Sequence, residues 1–178
     1  MSSNIRKATI DDSKRLAEIV AKSWQTAYKG IVADEVIDDK HTQERIGKLT
    51  KYFSGTISNE ISGDYIITTD STDVGCFSFG ASRDAAPNEK TGELIGLYIL
   101  LEYRGCGLGC KVLSFVDEEA KKRGYDKIIL WVLQKNKRAI CFYQKNGYVF
   151  ANAARTVTLG NEQLVEIQLE KIFDKEKC

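Results

Sequence analysis

Three observations predict an α/β fold whose central sheet is mixed, mostly antiparallel and flanked by helices. The elements read in the order β, helices, then β-β-β-α-β-α-β-β, and such direct strand-to-strand steps are the mark of antiparallel neighbours. The stretch Lys127 to Leu133 carries an unbroken apolar run from Ile128, as a central strand covered on both faces requires. A glycine-rich turn at positions 105, 107 and 109 leads from a strand straight into an amphipathic helix. With 178 residues and no linker, repeat or composition break, residues 1–178 are expected to form a single domain.

Each element follows from local signals. Ile5 to Thr9 reads as a first strand. Asp11 and Asp12 then offer N-caps to a helix whose Leu16, Ile19, Val20, Trp24 and Ala27 recur at helical spacing, with Gly30 placed to end it. A polar helical stretch covers about 34 to 53. Tyr65 to Thr69 and Val74 to Gly80 read as strands joined by the turn-rich Asp70-Ser71-Thr72-Asp73. Arg83 to Thr91, holding Pro87, is a loop, and Glu93 to Leu101 is β-rich. Leu108, Val112, Phe115, Val116 and Ala120 share a helical face that ends at Arg123-Gly124. After the Lys127–Leu133 strand, a helix from about Asn136 stops at Asn146-Gly147. Tyr148 to Ala151 and Thr156 to Leu159 are short strands, and Gly160-Asn161 turns the chain into Gln163 to Leu169.

Composition excludes several functions. Lys+Arg number 26 against 25 Asp+Glu, a net charge of +1, so no broad basic face for nucleic acid is expected. The apolar run from Ile128 to Leu133 is far short of the ~20 residues that cross a bilayer. The start, Met1 to Lys7, has no apolar signal core, and the five cysteines form no framework, which together point to the cytoplasm. A structural zinc site is not expected, because there is no C-x-x-C and His41 is the one histidine.

Arg104-Gly105-Cys106-Gly107-Leu108-Gly109 carries the strongest chemical signal. Glycines let a backbone approach a ligand closely, and the first amides of a helix point outward with no internal partners. Such an arrangement grips a diphosphate, and Arg104 could add a charge-assisted contact. A plain strand-to-helix turn is the alternative. Cys110 stands where a dinucleotide fingerprint needs its third glycine, and where a P-loop needs the glycine before its lysine.

Two motifs here resemble a known family. Leu97-Tyr98-Ile99 followed by Arg104 to Gly109 is similar to the [RQ]-x-x-G-x-[GA] acetyl-CoA motif of the GNAT N-acetyltransferase superfamily. Asn136, then Ala139-Ile140-Cys141-Phe142-Tyr143, then Asn146-Gly147-Tyr148, resembles its next motif, N-x-x-A-x-x-F-Y-x-x-x-G-F. The resemblance is close over 93–150, which would be the acetyl-CoA-binding core, and looser over 1–60, which would hold variable acceptor-side helices. Departures are Leu100-Leu101, where a polar turn is usual, and Tyr148 in place of Phe.

The resemblance implies a GNAT-like fold with splayed central strands, and an enzyme that moves an acetyl group from acetyl-CoA to a primary amine without a metal. By that likeness Leu97, Tyr98 and Ile99 would contact the pantetheine arm through main-chain groups, Arg104, Gly105, Cys106, Gly107, Leu108 and Gly109 would hold the diphosphate, and Asn136 would bind on the pantetheine side. Cys106 and Cys110 read as ordinary filling residues. Glu93 matches the place of a catalytic glutamate that acts through water; its other reading is a solvated strand-edge carboxylate. A base has work to do, since an ammonium with pKa near ~10 is neutral in only about one molecule per thousand at pH 7. Tyr143 matches the tyrosine that donates to the departing thiolate, or else is core packing.

The acceptor is less determined. Trp24 and Tyr28, with Asp34, Glu35, Asp38 and Asp39, lie where the family's variable helices line the acceptor cleft, and aromatic faces with carboxylates suit a cationic amine. Their plainer reading is core and surface helix. A small-molecule or peptide amine, including a protein N-terminus, stays open, as does a non-catalytic acyl-CoA-binding module. Relatives are often dimers, so a homodimer also stays open.

Overall fold

The computed structural model describes residues 2–58, 62–84 and 90–173. Pro87 and Cys178 lie outside the described residues, as do the side chains of Asp39 and His41. Among the described residues seven strands form one sheet in the order β1-β2-β3-β4-β5-β7-β6. They are β1 (Ser3–Lys7), β2 (Ser62–Thr69), β3 (Thr72–Ala81), β4 (Thr91–Ile99), β5 (Lys127–Leu133), β6 (Val149–Leu159) and β7 (Glu162–Ile172). Helices α1 (Ser13–Ala27), α2 (Asp34–Ile37) and α3 (Asp39–Ser58) follow β1, while α4 (Leu108–Lys122) and α5 (Lys137–Lys145) flank β5 in sequence. The mixed, mainly antiparallel α/β sheet is as anticipated: β1–β2, β5–β7 and β6–β7 are antiparallel, and β4–β5 is parallel. By density of contacts the chain divides into two compact units, 1–78 with 96–109, and 79–95 with 110–178.

In the first unit the strand predicted at Ile5–Thr9 is displaced to Ser3–Lys7, because Ser3 and Asn4 pair with Thr69 and Thr68 on β2. Ladder bonding is a backbone matter and does not need apolar side chains. Thr9 then opens a 3-10 turn, Ile10–Asp12, that precedes α1. Asp12 serves that turn instead of capping α1. Its Oδ2 accepts from the Thr9 backbone N–H at 2.8 Å and from the Thr9 hydroxyl at 3.0 Å, and its carboxylate pairs with Arg6 at 2.7 Å. The helical stretch expected over 34 to 53 breaks into α2 and α3 at Asp38, whose ψ of 170° is extended. The β2–β3 link tightens to Asp70 and Ser71, whose φ values of 46° and 65° are those of a two-residue I′ turn. Ala8, Leu16, Ala17, Ile19, Val20, Phe53, Ile66, Cys76 and Leu100 form the core of this unit, with Trp24, Ile46, Leu49, Tyr98 and Tyr103 packed against it.

In the second unit β5 occupies the predicted span and is buried at Ile128, Ile129 and Leu130. The predicted face of α4 is the buried one, with Val112, Val116 and Ala120 at 0 % exposure. The two short strands predicted around 148–159 are a single strand, β6, with a break in register between Phe150 and Ala154. Asn152 sits there at φ 54°, the irregularity that made one strand read as two. The parallel ladder between β4 and β5 is short: Thr91, Gly92 and Glu93 stand opposite Lys127, Ile128 and Ile129, while β4 runs on to Ile99 and β5 to Leu133.

Candidate active site

The first unit holds the glycine turn. After β4 the Leu100 N–H donates to the Val74 carbonyl at 2.9 Å, and residues Leu101–Tyr103 make one 3-10 turn. That turn does the work of the missing polar dipeptide: Leu100 is buried, and Leu101 starts the turn from the surface. Gly105 and Gly107 follow with φ of 83° and 80°, values an L side chain adopts only at a cost. A Cβ at either would meet nothing within 4 Å, so backbone conformation, not crowding, selects glycine here. Gly105, Cys106 and Gly107 are exposed, and Leu108 and Gly109 begin α4, so the turn presents its main chain to solvent beside a helix start.

Arg104 behaves differently from the expectation that it faces a phosphate. Its Nε donates to the Ile99 carbonyl at 2.8 Å, and its Nη2 to Thr26 Oγ1 at 2.9 Å and to the Ser23 carbonyl at 3.4 Å. The guanidinium thus ties the base of the glycine turn to the end of β4 and to α1.

On α1, Trp24 and Tyr28 meet edge to face with ring centres 4.7 Å apart. One face of the Trp24 ring is covered by a cation of the protein's own, since the Arg45 guanidinium carbon lies 4.5 Å from the ring centre. Arg45 was not singled out from the sequence. The signal was available: it falls in phase with Thr42, Ile46, Leu49 and Phe53 on the inward stripe of α3. Asp34, Glu35 and Asp38 are exposed.

The second unit holds Glu93, Asn136 and Tyr143. Glu93 is 1 % exposed, which removes the solvated strand-edge reading. Three donors from one residue converge on its carboxylate. Arg83 Nη2 reaches Oε1 at 2.6 Å, and Arg83 Nε and the Arg83 backbone N–H reach Oε2 at 3.2 and 3.0 Å. This partner was also missed, because it stands in a loop before β4 with no motif to mark it. Asn136 is the N-cap of α5: its Oδ1 accepts from the Ala139 N–H at 3.1 Å.

Tyr143 lies on α5, half-buried, with its ring edge-on to Tyr148 at 5.7 Å. Tyr148 is 1 % exposed, and burial, helped by the nearby Asp117 and Tyr143, pushes its hydroxyl well above the usual tyrosine range. Of this aromatic pair, Tyr143 is therefore the one with surface left for chemistry. Among the described residues no group of three or more His, Cys, Asp or Glu is placed to hold a metal ion, and no helix is long and apolar enough to cross a membrane.

Comparison with known proteins bears on the family and the fold. The model of the Acetyltransferase (GNAT) family matches residues 21–148. A spermidine N(1)-acetyltransferase of Thermoplasma acidophilum is 28% identical over 152 residues, covering 83% of this chain and 89% of that protein. The crystal structure of PaiA N-acetyltransferase from Thermoplasma acidophilum, in complex with coenzyme A, superposes with a TM-score of 0.75 at 27% identity, over 97% of this chain and 100% of that one. A ribosomal-protein-alanine N-acetyltransferase from Brucella melitensis, at 20% identity and a TM-score of 0.71 over 96% of this chain and 99% of that one, shares the fold.

Proposed function

The chain belongs to the GNAT acetyltransferase family, and from that premise we propose that it carries an acetyl group from acetyl-CoA to the primary amine of a small molecule by direct attack of the amine nitrogen. The observation that carries the reading is the exposed turn at Gly105 and Gly107, whose positive φ values lead the chain into the first turn of α4. Bare main chain beside a helix start suits a diphosphate, which needs close approach and unpaired N–H donors. The short β4–β5 ladder is consistent with it, because β4 extends through Leu97, Tyr98 and Ile99 beyond the registered pairs. A relative that bears the name of a spermidine acetyltransferase supports a small amine as acceptor.

Each residue then has a task. Gly105 to Gly109 hold the diphosphate through their amides, and Arg104 keeps the turn in place from behind. The main chain of Leu97 to Ile99 takes the pantetheine arm, and one of its N–H groups polarises the thioester carbonyl, as an oxyanion donor does. Bound there, the cofactor supplies an activated acyl carbon. Asn136 offers its side-chain amide on the pantetheine side while its Oδ1 caps α5. Tyr143 donates a hydrogen bond to the departing sulfur. Glu93 receives the proton of the amine through water, for which Arg83 must yield one of its contacts. Trp24 and Tyr28 stand on the acceptor side.

The test is release of the coenzyme A thiol when purified protein and acetyl-CoA meet a panel of amines. Acceptor-dependent release with mass-confirmed N-acetylation is the expected result. Release no faster than in buffer, across amines of every class, would end the proposal.

A further inference from the structure

Helices α1 and α3 carry a set of donors that the protein itself does not satisfy. Arg45 Nη2 donates to the Val36 carbonyl at 2.9 Å, but Arg45 Nη1 is buried with no hydrogen-bond partner. The indole Nε1 of Trp24 and the Oγ of Ser23 are buried and unpartnered as well. Among the described residues no Asp or Glu is ion-paired with Arg45, and desolvation lowers its pKa. A guanidinium withdrawn from water with no anion beside it is costly, and the usual remedy is a bidentate carboxylate. Arg45 also feels Tyr98, one of the three β4 residues whose main chain the acetyl-transfer reading sets along the pantetheine arm.

The donor inventory selects the missing partner. Guanidinium and indole N–H groups donate and never accept, whereas a carboxylate only accepts, through two oxygens. A bare polyamine brings further cations and donors to a place already holding both. We propose that Arg45, with Trp24 Nε1 and Ser23 Oγ, recognises a carboxylate on the acceptor, so that the substrate is an amino acid or another amine that also bears a carboxylate. Arg45 is half-buried on a long stem, which lets its head group swing to meet a ligand. This inference rests on the acetyl-transfer reading and adds the substrate class to it.

The test compares acceptors that differ only in the carboxylate: lysine against 1,5-diaminopentane, and phenylalanine against its amide and against phenethylamine. Thiol release is measured for each with saturating acetyl-CoA. A charge-assisted contact of this kind is worth about 10- to 100-fold in kcat/KM for the member that carries the carboxylate. Arg45→Gln should bring that ratio to within about threefold of one, chiefly through KM. Trp24→Phe, which keeps the ring and removes the N–H, should lower it partway and covers the case in which the Arg45 variant does not fold.

A native preference for the carboxylate-free amines, spermidine included, overturns this inference and leaves acetyl transfer standing. So does a ratio that survives both substitutions. Thiol release from none of these acceptors and from none of the wider amine panel, with acetyl-CoA binding intact, overturns both readings together.

Discussion

Replacing Glu93 by glutamine tests the Arg83–Glu93 pair and the proton-transfer proposal at once. The native carboxylate is 1 % exposed and accepts three hydrogen bonds from Arg83. Glutamine keeps one accepting oxygen and turns an NH₂ donor toward the remaining donors. At least one charge-assisted bond is lost, at about 1.5–3 kcal/mol. The Arg83 side chain is 55 % exposed, so water reaches the N–H groups it frees, which sets the loss at about 2 kcal/mol.

Arg83→Ala leaves the buried carboxylate with a single backbone N–H. Stranding a fully buried charge costs about 3–5 kcal/mol, and water entering the space beside the half-exposed arginine puts this case near the lower bound, about 3 kcal/mol. Urea unfolding with an unchanged m-value reads both numbers, and in the double variant the two losses should fall short of their sum. The catalytic arm separates the roles. Glu93→Gln should lower turnover by about 100-fold or more, as loss of a general base does, while Arg83→Ala keeps the carboxylate and most of the turnover. A Glu93→Gln protein within about 0.5 kcal/mol of native stability would refute the geometric argument. Equal turnover in native and Glu93→Gln protein would remove Glu93 from the chemistry.

Other consequences are simpler to read. Tyr143→Phe should lower turnover by about 10- to 100-fold with cofactor affinity unchanged, and native turnover in that variant would make Tyr143 a packing residue. Gly107→Ala forces an L residue to a φ of 80°, at about 1–2 kcal/mol, and calorimetry should show coenzyme A affinity reduced by about tenfold. The hydrogen bond from Arg6, with smaller help from Thr9, holds the Asp12 carboxyl down at about 2. A depressed carboxyl stabilises the fold above its unfolded value of ~3.9 and loses that contribution as pH falls through about 2. Arg6 is 39% exposed, so screening trims the effect, and Asp12→Asn should cost about 1 kcal/mol at pH 7 and almost nothing at pH 2. Burial raises the Cys76 thiol far above its ordinary pKa, so alkylation of folded protein should modify Cys106, Cys110 and Cys141 and spare Cys76 until unfolding.

The order of elements was legible because it is written in short-range signals. Ile128 to Leu133 can only be a covered strand, Asn136 and Asn146-Gly147 bracket α5, and Gly160-Asn161 is a hairpin turn at φ 62°. Boundaries slipped where the controlling partner was remote. β1 begins at Ser3 because β2 pairs with it, and Asp12 was drawn from the cap of α1 by Arg6 and Thr9. In the candidate site, the motifs marked the glycine turn, Asn136 and Tyr143. They could not show that Arg104 spends its guanidinium on Ile99 and Thr26, that Arg83 grips Glu93, or that Arg45 covers Trp24. Arg104 with Thr26 and Arg45 with Trp24 join separate elements, and in all of these contacts side-chain direction follows from packing rather than spacing.

The central claim is that the turn from Gly105 to Gly109 binds coenzyme A. Titration calorimetry of the purified protein measures it most directly, with native and Gly107→Ala protein run side by side. The account predicts saturable heat with acetyl-CoA well below millimolar concentration, weakened in the variant. No heat at millimolar acetyl-CoA, or equal affinity in both proteins, would contradict it.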